Sequence, residues 1–109
     1  VFDAIVRNAA NVCGAFDAVL ALAEGDEFAT PAHHGPIPRP IGKVSMQGTV
    51  TGQAIREART VHVEDLRAAD DYPIGKELAR ETGYRTVLCV PLLRDSAAIG
   101  AIGIRRTEA

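Results

Sequence analysis

At 109 residues the chain has room for one domain and one hydrophobic core, and its 47% apolar and 24% charged residues are those of an ordinary folded protein. Twelve Lys and Arg against fourteen Asp and Glu leave a formal net charge of −2, spread without a basic stripe, so no nucleic-acid partner is expected. The longest apolar stretch, Ala97 to Ile104, is too short to cross a bilayer, and no signal-peptide pattern opens the sequence, so no membrane insertion is expected.

Taken in chain order, residues 1–13 set Phe2, Ile5, Val6, Ala9 and Val12 or Cys13 at the spacing of one helical face, and Gly14 is placed to end that helix. Ala15–Ala23, with Phe16, Val19, Leu20 and Leu22, reads as a continuous apolar run suited to a strand buried on both faces. A tight turn at Gly25-Asp26 leads into a second strand, Phe28–His34. Three prolines in five residues, Pro36, Pro38 and Pro40, make residues 35–48 an extended loop. Thr51 is placed to cap a helix whose Ala54, Ile55 and Ala58 face inward, and Thr60–Val63 is a short β-branched strand. Pro73 suits the first turn of a helix running to about Thr82, with Ile74, Leu78 and Ala79 as the inward candidates and Gly83 closing it. Thr86–Leu93 and Ile99–Arg105 form a closing hairpin through Arg94-Asp95-Ser96-Ala97. The order predicts an α+β fold: a central antiparallel sheet of five or six strands with helices on both faces.

Familiar chemistry is sparse. Gly42-Lys43 and Gly75-Lys76 lack the following hydroxyl of a phosphate-cradling loop, and neither Ser45 nor Ser96 lies in a nucleophile elbow. His33 and His34 are adjacent, so in a strand they point to opposite faces and do not share a metal ion. Cys13 and Cys89 have no charged sequence neighbour to activate them and read as reduced, buried thiols, which favours a cytoplasmic setting. The acidic run Glu64, Asp65, Asp70 and Asp71 reads as a solvated loop before the next helix. The segment Tyr72–Arg85 places Tyr72, Tyr84 and Arg85 around a short helix crossing the sheet, an arrangement that can roof a ligand cavity.

The runs Gly48–Ile55, Arg59–Leu66, Gly83–Leu92 and Ile99–Ile104 resemble a GAF domain, and Ala32-His33-His34-Gly35-Pro36 resembles the branch found in bacterial multi-domain sensor histidine kinases and nucleotide cyclases. The resemblance spans essentially the whole chain. It implies a regulatory domain that binds a small molecule or relays a signal to an effector, a histidine kinase or nucleotide cyclase, in the same polypeptide. No cofactor is identified. Asn8 and Asn11 lack the following Lys of cyclic-nucleotide binders, and neither Cys13 nor Cys89 precedes the His common in bilin-attaching members.

On this reading the chain is a non-catalytic sensory module. Its start at Val1 and the missing long C-terminal helix of the family mark it as a piece of a longer protein. The expected pocket comprises Ile55, Tyr72, Leu78, Tyr84 and Arg85, with His34 at its rim and Arg85 as an anion anchor. A homodimer is expected through the helix-1 face, where Phe2, Ile5 or Val6 would be exposed. The alternatives are a ligand-free dimerisation module and, from another class, a small thiol-dependent reductase.

Overall fold

Apolar alternation along the strands sorts into a two-sided sheet. The computed structural model describes residues 2–13, 17–38, 40 and 42–107, without the side chains of 2, 3, 10, 12 and 13. The elements are α1 (Phe2–Cys13), β1 (Asp17–Glu24), β2 (Glu27–His34), β3 (Val44–Ser45), α2 (Val50–Glu57), β4 (Val61–Val63), a 3-10 turn at Leu66–Ala68, α3 (Pro73–Thr82), β5 (Thr86–Arg94) and β6 (Ala97–Arg106). All six strands join one sheet in the order β3-β2-β1-β6-β5-β4, and every neighbouring pair is antiparallel.

Central placement explains β1, whose first five residues are all buried. Ala18 and Leu20 turn to one side, where they pack with Val6 of α1, Ala32 and Ile104. Val19 and Ala21 turn to the other, beneath α2 and α3. The core is therefore split by the sheet, with α1 on one face and the two middle helices on the other.

Turn chemistry fixes the two hairpins. Gly25, at φ +64°, turns β1 into β2, while Asp95 and Ser96, at φ 53° and 70°, form the left-handed pair that suits a two-residue hairpin. Between Leu20 and Leu22 the β1–β2 register shifts, a bulge that brings both Thr30 and His33 to the face shared with α2 and α3.

Several local expectations are corrected. Thr49, not Thr51, caps α2: its Oγ1 accepts from the Gly52 amide, and Thr51 lies inside the helix. Ile74 is 39% exposed, because the inward side of α3 is made by Gly75 and Ala79. A two-residue strand, β3, forms inside the expected loop because Val44 and Ser45 pair with Phe28 and Glu27. The expected Gly14 cap and the Phe16 core position lie outside the described residues, as does the Cys13 side chain.

Gly52 is required by close approach: a Cβ there would stand 1.9 Å from the Met46 carbonyl oxygen. Gly25 has open space around its Cβ position and only an unfavourable φ. Gly52→Ala is therefore expected to lower the urea midpoint well beyond Gly25→Ala, the latter costing roughly 1 kcal/mol. Equal losses would mean that the α2 entrance relaxes freely.

Candidate functional site

One buried charge pair organises the α2/α3 side of the sheet. Asp17 and Arg105 are direct cross-strand partners on β1 and β6, 0% and 4% exposed. The Arg105 Nε donates to Asp17 Oδ1 at 2.9 Å, and Nη2 lies 2.7 Å from the same oxygen. Asp17 Oδ2 accepts from His33 Nε2 at 2.9 Å and from the Ile37 amide at 2.8 Å. The guanidinium then reaches the Pro-rich loop, donating to the Pro38 carbonyl at 2.9 Å and the Ile37 carbonyl at 2.7 Å. It also stands 5.1 Å from the centre of the Tyr84 ring, within cation–π range. A third tie runs from Thr30 Oγ1 to the Pro40 carbonyl at 3.1 Å. The loop is thus fastened over the sheet by its carbonyls, which three nearby prolines leave short of backbone donors.

Two spaces open from this arrangement. A small inner cavity of about 40 Å³ lies between the sheet and α2/α3, lined by Val19, Phe28, Leu66 and Val87 and by the hydroxyl-bearing Thr30, Thr49 and Thr51. It has room for about three waters, far below the roughly 300 Å³ at which small-molecule sites begin. An outer cleft of about 500 Å³ runs between the Pro-rich loop and α3, and falls within that range. Pro40, Leu78, Tyr84 and Arg105 line both spaces.

Tyr84 is the pivotal side chain. The residue is 7% exposed, and its hydroxyl, which meets no hydrogen-bond partner among the described residues, is not itself sealed from solvent. Burial pushes its phenol up to about 12, with Arg105 opposing the shift, so the hydroxyl remains a donor at neutral pH.

Of the residues expected at the pocket, Leu78 and Tyr84 are brought together. The other four are not. Ile55 packs under α2 with Phe28, Met46 and Ala101. Tyr72 donates its hydroxyl to Gln53 Oε1 on the outer side of α2. His34 is exposed at the end of β2, while its neighbour His33 turns inward to Asp17. Arg85 corrects the anion-anchor expectation: its guanidinium is engaged by Asp65 through Nε at 3.1 Å and through Nη2, and it lines neither space. The Arg85 ion pair holds the Asp65 carboxyl below its ordinary value. Sequence reading missed Asp17, Arg105 and Lys43. The signal for Asp17 was available, because a carboxylate inside an otherwise apolar strand needs a buried partner.

Comparison with known proteins places the chain. A family model described as GAF domain matches residues 1–109. No curated protein matches. Among solved structures, a free methionine-R-sulfoxide reductase from Neisseria meningitidis, in complex with its substrate, is 23% identical with a TM-score of 0.77, over 97% of this chain and 60% of that one. The GAF domain of an Acinetobacter phosphoenolpyruvate-protein phosphotransferase is 14% identical with a TM-score of 0.76, over 97% and 63%. A Staphylococcus aureus NreA protein mutated in its nitrate binding site is 13% identical with a TM-score of 0.79, over 98% and 83%. The chain thus spans less than two thirds of the first two. The reductase overturns the expectation of a non-catalytic chain: an enzyme has this fold, so a lack of familiar motifs gives no ground for excluding catalysis.

Cys89, the thiol that is described, is fully buried in the cluster under α2 and lies 3.4 Å from Thr51 Oγ1. Burial pushes it up to about 11, so at neutral pH it is a packed thiol and a poor nucleophile. Cys89 and Tyr84 both hold their protons to higher pH folded than unfolded, from ordinary values of 9.0 and 10.0. The native state then binds more protons above pH 9, and the linked stability is present below that pH and lost as pH rises toward 11 and 12. Urea unfolding should show a steeper alkaline loss in the native sequence than in Cys89→Ala or Tyr84→Phe, each compared with its own neutral-pH stability. Identical slopes in all three would contradict the buried, neutral state of both groups.

Proposed function

We propose a ligand-responsive regulatory function for this chain, which belongs to the GAF domain family. The observation that carries the reading is the outer cleft of about 500 Å³, a size suited to a small molecule, with the buried Tyr84 on the wall that it shares with the inner cavity.

In this reading the outer cleft receives a small molecule, and the Pro-rich loop and α3 close on it. The inner cavity is the yielding space that lets Leu78 and Tyr84 shift. The change reaches β1 and β6 through Arg105 and Asp17, and the opposite face of those strands carries α1. There Val6 is fully buried while Ile5 is 41% exposed, so α1 presents an apolar position for a second copy of the chain or for a neighbouring effector. A histidine kinase or nucleotide cyclase in the same polypeptide is the effector class we propose, with a cytoplasmic setting. A nitrate site in the NreA protein supports small-molecule binding as a use of this fold. Regulation of this kind is compatible with turnover at the same site.

The test is a library of small polar and amphiphilic metabolites screened by amide chemical shifts. Hits should move Lys43 and the Thr82–Arg85 amides, and Leu78→Trp, which fills the shared wall, should abolish them. Hits that map elsewhere, or persist in Leu78→Trp, would remove the cleft from the function.

A further inference from the structure

We propose that the outer cleft takes a small zwitterion whose carboxylate and ammonium are separated by a short apolar body, the chemistry of an ω-amino acid. This rests on the cleft being the ligand site. Its two walls differ: the loop side brings Lys43, and the α3 side brings Glu81. Between them the lining is mostly apolar, from Pro38, Val44, Ile74 and Leu78, with the hydroxyls of Ser45 and Thr82. Tyr84 offers its hydroxyl at the base.

The charge count selects the class. Arg105 is already answered by Asp17 and by two loop carbonyls, so it positions the wall and offers no free charge to a ligand. Among the described residues Lys43 has one partner, Glu24 at 3.8 Å, with both side chains about half exposed. Such a pair is worth little, and a ligand carboxylate displaces it readily. Glu81 has no side-chain partner among the described residues and is exposed at the rim. Among the described residues, one available cation and one available carboxylate on opposing walls match a ligand bearing one of each. A simple carboxylate leaves Glu81 unanswered and adjacent to like charge. A simple amine does the same to Lys43. A polyphosphate requires more cations than the described lining offers.

Isothermal titration of the intact chain with 6-aminohexanoate, hexanoate, hexylamine and L-leucine tests this directly. 6-Aminohexanoate should bind at least about tenfold more tightly than either single-charge analogue, and more tightly than L-leucine, whose charges sit on one carbon. Lys43→Met and Glu81→Gln alter exposed rim residues and leave the core intact. Glu81→Gln should erase the advantage over hexanoate, and Lys43→Met the advantage over hexylamine. Hexanoate binding as tightly as 6-aminohexanoate, or an advantage that survives both substitutions, would overturn the proposal. Should none of the four bind while a library compound shifts the Lys43 and Thr82–Arg85 amides, the zwitterion inference fails and the regulatory reading stands. Should no compound of either set shift those amides, both fail.

Discussion

The constraint on which the rest depends is the burial of Asp17 opposite Arg105 at one end of the two central strands. Taking two charges out of water costs several kcal/mol per ion, and attraction alone returns this only when the remaining donors and acceptors are also satisfied. Here they are. The carboxylate takes hydrogen bonds from Arg105, His33 and the Ile37 amide, and the guanidinium passes its other donors to the Ile37 and Pro38 carbonyls. Removing one partner would leave the other charge buried and alone, a loss of about 3–5 kcal/mol. An apolar pair would give a sheet as stable, but nothing to hold the loop.

That division of labour connects stability to the site. Pro36, Pro38 and Pro40 bring no backbone donors, so the position of Ile37 and Pro38 is borrowed from the charge pair. Tyr84, stacked beside Arg105, borrows its position too. The cleft wall, the phenol that faces it and the strand pair leading to α1 are parts of one bonded unit. A ligand that displaces Tyr84 must therefore work against β1 and β6, and rigid coupling of this kind carries a local change across a sheet.

Most of the fold was legible in the sequence, for identifiable reasons. The apolar run of β1 announced a central strand, Pro73 and Gly83 bracketed α3, and the Asp95-Ser96 turn fixed the last hairpin. The site was only half legible. Leu78 and Tyr84 follow from helix periodicity and strand position, whereas Arg85 looked equivalent to Arg105 until Asp65 was seen to hold it. Which of two arginines is buried depends on a partner 88 positions away in the chain, and periodicity carries no such information. The bulge in β2 likewise decided that His33 rather than His34 turns inward, and a one-residue slip in register reverses that choice.

The most direct test of the charge pair as the fastening of the loop is amide hydrogen exchange in the double variant Asp17→Leu, Arg105→Met. The apolar pair removes both the acceptor of the Ile37 amide and the donors to the Ile37 and Pro38 carbonyls, so the Ile37 amide should lose its protection while the β1–β6 amides at Leu20 and Ile102 stay protected relative to the variant's own global stability. Undiminished protection at Ile37, with the β1–β6 amides equally unaffected, would contradict the account.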